Sequence, residues 1–374
     1  MGLGLLPALG GGIAELRRSG QDSRLLDGYL RPYAEAFERV SYFSYLPESL
    51  RDYTADPRLL AAVRLLAPRR PRPRLLRALA MPLAHRAEFR SCGVFRVFQV
   101  TGVIPALVAR ALWGIPYVTT YGFWYGRLSR PGLSRPAKRL LERVGLRLAA
   151  GVIVPTEPLR AHAATLVAPD RIHLIPNGVD TASFVPGDRA SSGVRRILYV
   201  GRLEAEKNLG LLLTAAAKLA SRLPVRLTFI GAGSRQGELH AQAQALGVEV
   251  EFPGVVNHRR LPERYRAADV FVLPSFTEGH PKVLIEAMAS GLSCVASDCP
   301  GNRALVRDEE TGLLFDPRSP EALAAALERV LGDASLARAL GTRARETAEK
   351  DYDLGRLVQR EIEILQKLAR AVRR

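Results

Sequence analysis

Cysteine is scarce in this 374-residue chain: Cys92, Cys294 and Cys299 are too few for a disulfide framework and lie at no zinc-binding spacing. The six histidines, at 85, 162, 173, 240, 258 and 280, show no ligand spacing either, so no metal site is expected. Long apolar runs are also missing. The longest, "VFQVTGVIPALVA" (97–109), is interrupted by Gln99 and Thr101 and stops at Arg110, well short of the ~20 residues a membrane span needs. The N-terminal "MGLGLLPALGGG" has no basic leader region, and Leu6 stands where a myristoylation signal wants Ser or Thr. Reduced thiols and no export signal make the cytoplasm the expected compartment.

Lysine is rare as well, only six of the 54 basic residues, although the net charge is +17. No zinc-finger, RNP or helix-turn-helix pattern accompanies that charge, so nucleic acid is not the expected partner. The charge is concentrated in "RLLAPRRPRPRLLRALAMPLAHRAEFR" (64–90), which has eight arginines and no acid before Glu88. With leucine and alanine between the arginines, the stretch reads as a basic amphipathic surface. It could rest on anionic lipid at the inner face of the plasma membrane, or be a solvated face.

The chain length suits two domains, and 47% apolar residues are ample for packed cores. Apolar β-type runs alternate with amphipathic helical ones, the pattern of parallel sheets covered by helices. In the first half, strands are expected at 94–100, 117–121, 151–155 and 172–176, with helices at 104–113 and 134–149. "NGVDTASFVPGDRASSGV" (177–194) reads as a linker. A second series follows, with strands at 195–201, 225–233, 248–254, 269–275, 293–298 and 311–317. The expected domains are therefore 1–180 and 195–352, with a terminal segment 353–374. The fold class is α/β, doubly wound, and the ligand is expected at the carboxyl ends of the strands.

"GRLEAEKN" ends the first strand of the second series. Its Gly201 allows close approach of a ligand, and Arg202 and Lys207, with Asn208, supply a forked donor and a point charge suited to a diphosphate. Further on, "FTEGHPKVLIEAMASG" (276–291) sets Glu278 and Glu286 eight apart. On one helix they would be separated by about 12 Å, beyond the roughly 5–9.5 Å of a glycosidase pair. Pro281 favours a helix start after Glu278, which leaves Glu278 in a loop and Glu286 inside the helix, each able to accept from a vicinal diol.

Taken together, "IPNGVD" (175–180), "YVGRLEAEKNL" (199–209), "FPGVV" (252–256), "ADVFVLPSFTEGHPKVLIEAMASG" (268–291) and "GNRALVRDEETGLLFDP" (301–317) resemble the retaining glycosyltransferases of family 4. The resemblance implies a GT-B architecture, two Rossmann-like domains facing a cleft, with a last helix crossing back to the first domain. It implies a UDP- or GDP-linked sugar donor and a hydroxyl acceptor, a polysaccharide or lipid-linked glycan precursor, and no metal. Arg202 and Lys207 would hold the diphosphate, Glu286 the ribose and Glu278 the transferred sugar. Backbone amides at Gly279, Val283 and Leu284 would complete the cradle, with His280 against the donor. In the first half, "LGGGIAELRRSGQ" (9–21) resembles the family's glycine loop, with Gly11 and Gly12 approaching the reacting centre. "YGFWYG" (121–126) stands where the family's His-Gly pair would be, and Tyr121 and Trp124 would either stack on a sugar or pack at an interdomain edge. "DYD" (351–353) reads as a helix start rather than a metal motif. The rival readings are an epimerase or phosphorylase on the same architecture, or a non-catalytic basic membrane-binding protein.

Overall fold

The computed structural model describes residues 1–69, 73–122, 134–187, 193–220 and 222–371. The chain divides into two compact units. Unit one combines Met1–Pro176 with Gly355–Arg374 from the far end of the sequence, and unit two is Asn177–Leu354.

Unit one carries seven strands: β1 (Gly2–Leu6), β2 (Arg39–Phe43), β3 (Val63–Leu66), β4 (Cys92–Val97), β5 (Tyr117–Thr120), β6 (Gly151–Val154) and β7 (Ile172–Leu174). They form one sheet in the order β3-β2-β1-β4-β5-β6-β7, and every pairing is parallel. β1 is an interior strand and its five residues are all buried; a parallel strand covered on both faces has no polar side to show. β2 and β3 fall outside the expected strands. Both are short, and the arginines Arg39 and Arg64 obscure their apolar pattern. The stretch 64–90 is accordingly not one amphipathic surface. It comprises most of β3, the helix Arg74–Ala84 and most of the helix Arg86–Ser91.

Unit two has six strands: β8 (Arg195–Val200), β9 (Val225–Ile230), β10 (Val250–Gly254), β11 (Val270–Leu273), β12 (Ser293–Ser297) and β13 (Leu313–Phe315). Their order is β10-β9-β8-β11-β12-β13, again wholly parallel. The order reverses between β8 and β11, and a crevice opens at such a switch point beyond the carboxyl ends of the strands.

The boundary falls between Pro176 and Asn177, earlier than the 180 read from the sequence, because the supposed linker is built into unit two. Phe184 is buried in its core. The Val179 amide donates to the Tyr352 carbonyl, and the Leu354 amide donates to Val179. Asp353, the last acid of "DYD", precedes the helix Leu354–Ala371 and accepts from the Thr181 hydroxyl at 2.6 Å.

In unit one the terminal helix is held by a buried ion pair. Arg96 of β4 meets Glu361, Nε to Oε1 at 2.5 Å and Nη2 to Oε2 at 3.1 Å. Arg96 also donates to Thr120 Oγ1 at 2.8 Å, while the Tyr33 hydroxyl donates to Glu361.

Candidate functional site

The switch point of unit two gathers the residues that the sequence separates. Gly201 follows β8 and Gly231 follows β9, so their loops leave adjacent strands. A side chain at Gly231 would put its Cβ 1.9 Å from the Gly201 carbonyl oxygen, so only glycine allows these loops to close together. The chain then makes one tight turn, Ala205–Lys207. Asn208 leaves it in the left-handed region at φ 54°, a conformation asparagine tolerates. Its Nδ2 donates to the Pro317 carbonyl at 2.8 Å.

That turn brings Lys207 to Glu278. The Nζ–Oε1 distance is 2.6 Å, with side-chain exposures of 15% and 11%. The Ser275 hydroxyl donates to the same oxygen at 2.7 Å. Cation and carboxylate thus form one nearly enclosed site. Gly301 backs it, since a Cβ there would meet the Glu278 carbonyl oxygen at 2.4 Å. Arg202 stands apart: its side chain is 70% exposed and pairs with Glu206 at 2.7 Å.

Beyond Glu278 the helix Lys282–Ala289 begins. Pro281 is its N-cap in extended conformation (ψ 113°) rather than its first helical residue, and no side chain caps the end. The uncapped first turn carries the positive pole of the helix. The Leu284 amide, however, donates to the Pro281 carbonyl at 3.2 Å, and the Leu284 side chain is fully buried, so this amide is already committed within the chain. The Val283 carbonyl accepts from the Tyr265 hydroxyl at 3.1 Å.

Two expected donor contacts look different in the folded chain. Glu286 does not present an open carboxylate: it is 1% exposed, with Oε2 accepting from Tyr265 at 3.0 Å and Oε1 3.0 Å from His258 Nε2. The expectation of two oxygens open to a diol is corrected accordingly. A diol meets this carboxylate only alongside His258, a residue with no sequence signal beyond its place near Asn257. The His280 ring packs in an edge-to-face manner with Tyr352, ring centres 5.6 Å apart, and its buried Nδ1 has no hydrogen-bond partner. Burial, reinforced by the Lys282 charge, pushes its pKa down to about 4, so the ring is neutral at pH 7. Its carbonyl accepts from Asn177 Nδ2 at 2.8 Å. Gly279, between Glu278 and His280, is exposed.

In unit one the glycine loop is already occupied by the protein's own carboxylate. Gly12 is the N-cap of the helix Ile13–Arg18. Glu48 accepts from the Ile13 amide at 3.0 Å, the Ala14 amide at 2.7 Å and the Tyr53 hydroxyl at 2.8 Å. A Cβ on Gly12 would meet Glu48 Oε1 at 2.5 Å. Gly11 donates to the Ala8 carbonyl. The loop therefore holds Glu48 rather than offering these amides outward. Tyr121 is corrected from a sugar platform to a core residue. It is fully buried, its hydroxyl donates to Glu142 at 3.0 Å and its ring stacks on His162. Trp124 lies outside the described residues. Among the described residues, no group of three His, Cys, Asp or Glu could hold a metal ion.

Comparisons with known proteins bear on the family and the fold. A family model described as Glycosyltransferase Family 4 matches residues 16–183, and one described as glycosyl transferases group 1 matches residues 187–347. The D-inositol 3-phosphate glycosyltransferase of Acidothermus cellulolyticus is 35% identical over 251 residues, 60% of this chain and 56% of that protein. The chain thus spans little more than half the length of that relative. Sucrose-phosphate synthase from Thermosynechococcus elongatus has a TM-score of 0.80 at 22% identity, covering 99% of this chain and 100% of that one. HepE of Anabaena, in complex with UDP-glucose, gives 0.75 at 20% identity, covering 98% of this chain and 99% of that one. At such identities the likeness shows the fold alone, the GT-B architecture of two Rossmann-like domains. With the two models together tiling the chain from residue 16 to residue 347, it belongs to the family 4, group 1 glycosyltransferases.

Proposed function

We propose that the chain is a retaining, metal-independent glycosyltransferase that moves a sugar from a UDP- or GDP-linked donor to a hydroxyl of a polysaccharide or lipid-linked glycan precursor. One observation carries the reading: Lys207 and Glu278 pair at 2.6 Å, beside a helix end that no side chain caps. The likeness in fold to HepE, whose structure holds UDP-glucose, supports the same donor class.

In this reading the diphosphate lies between Lys207 and the first turn of the helix Lys282–Ala289, with exposed Arg202 swinging in from the rim. As the glycosidic bond breaks, negative charge grows on the leaving nucleoside diphosphate. A fixed ammonium and helix amides oppose that charge without reorganising. Glu278, held by Ser275, accepts hydroxyls of the transferred sugar, and Glu286 with His258 meets the ribose.

Titration calorimetry with UDP and GDP tests the donor site. Micromolar affinity that Lys207→Ala and Arg202→Ala each weaken supports the reading; affinity indifferent to both substitutions removes it.

A second feature supports an acceptor at a membrane surface. The helix Arg74–Ala84 buries Ala78, Met81 and Pro82, yet Leu75, Leu76, Leu79 and Leu83 are 55–64% exposed. Arg74 and Arg77 share this helix with the leucines. Apolar side chains flanked by arginine suit the interface of an anionic bilayer. Among the described residues no helix is long and apolar enough to cross one. Flotation with anionic and with neutral vesicles tests peripheral binding: the reading requires anionic-selective flotation that Leu79→Asp reduces.

A further inference from the structure

Beside the donor loop, wholly within unit two, runs a groove of about 1120 Å3 at the carboxyl ends of β12 and β13. Its rim includes Phe276, which is 51% exposed, the only aromatic among the large exposed hydrophobics of the described residues. The backbone that carries the ring is tied down, since the Phe276 amide donates to the Glu206 carbonyl at 3.0 Å. Pro317 on another rim is tied to Asn208. The groove therefore starts where the loops bearing Lys207 and Glu278 end.

Its electrostatics are unlike the rest of this strongly basic chain. The lining holds Arg303, Arg307 and Arg318 against Asp298, Asp308 and Asp316. Arg303 pairs with Asp298 at 2.5 Å, and Arg307 with Glu310 at 2.7 Å. The Arg303 and Arg307 guanidinium groups, already neutralised by carboxylates, are poor sites for an anion, but they offer donors and acceptors side by side. Val306, Leu314 and Phe315 supply apolar lining beneath them. An exposed ring, paired polar groups and a neutral balance match one ligand chemistry: a neutral sugar chain, whose C–H faces stack and whose hydroxyls both donate and accept.

We infer that this groove is a glycan subsite that holds neutral sugar units of the acceptor, with Phe276 as its stacking platform. The inference rests on the glycosyltransferase reading above and names the class of its acceptor as a neutral oligosaccharide or polysaccharide. The Asp298–Arg303 pair and Asp316 hold the hydroxyls, and Lys207 and Glu278 remain with the donor.

The test is calorimetry on the full chain with maltohexaose, cellohexaose and mannohexaose, and with hexagalacturonate as the anionic counterpart. At least one neutral oligosaccharide binds, Phe276→Ala weakens it about tenfold, and Phe276→Tyr retains it. UDP affinity is unchanged in both variants. The inference is overturned if none of the three neutral probes binds, if hexagalacturonate binds more tightly than all of them, or if Phe276→Ala leaves binding intact. UDP bound without any neutral probe removes the groove and leaves the donor site standing; a neutral probe bound without UDP does the reverse.

Discussion

Arg96 and Glu361 lie 265 residues apart and meet inside unit one, Nε to Oε1 at 2.5 Å, with neither residue more than 4% exposed. The pair fixes the helix Leu354–Ala371 against β4. Removing one partner strands the other charge without water. Glu361→Gln or Arg96→Met alone should therefore cost about 3–5 kcal/mol. The double change Arg96→Met with Glu361→Leu should cost clearly less than the two single losses added. Urea unfolding of the four proteins reads this directly, and strict additivity would contradict a coupled pair.

The Lys207–Glu278 contact predicts a division of labour between its two members. If Lys207 holds the diphosphate as proposed, Lys207→Met removes a charge-assisted contact worth about 1.5–3 kcal/mol, so UDP affinity should fall roughly 10- to 100-fold. Glu278→Gln should leave UDP affinity within a few-fold while donor turnover drops sharply. Equal losses of UDP binding in both variants would place Glu278 at the diphosphate instead.

His280 makes stability depend on pH. Its pKa is lowered to about 4, chiefly by burial, whereas an unfolded chain protonates histidine near 6.5. Between these values the unfolded state binds more protons, so stability from this group is complete above about pH 6.5 and is lost as pH falls toward 4. The loss is on the order of 3 kcal/mol. Comparing denaturation midpoints at pH 7.5 and 4.5, the wild type should lose more than His280→Phe; equal losses would mean the ring titrates normally.

Glu48 and Gly12 form one capping unit. Gly12→Ala pushes against the Glu48 carboxylate and Glu48→Ala removes it, so each should cost about 1–2 kcal/mol of stability. Because both act on the same cap, the double variant should be little worse than either alone. Thermal melts of the three variants check it.

What was legible in the sequence follows from which forces are local. The strands and helices of unit two announced themselves through alternating apolar runs and loops rich in Gly and Pro, and the α/β class followed. β2 and β3 were hidden because four or five residues interrupted by arginine carry too little period to stand out. Spacing put Glu286 on a helix, but the face it turns inward depends on Tyr265 and His258, which arrive from another helix and loop. Tyr121 looked like a ligand platform until the helix Ser134–Arg147 supplied Glu142 as its partner. Glu48 had no motif at all: its role arises only when the loop after β2 reaches the helix that follows β1.

The order in which the chain is synthesised gives the Arg96–Glu361 pair a further meaning. β4 leaves the ribosome 265 residues before the carboxylate that neutralises its arginine, an interval of roughly 13–53 s at 5–20 residues per second. During that interval the nascent first sheet has a cation at its centre and lacks its last helix. Unit one therefore completes its folding only after unit two has been made, when the helix Leu354–Ala371 packs against β4.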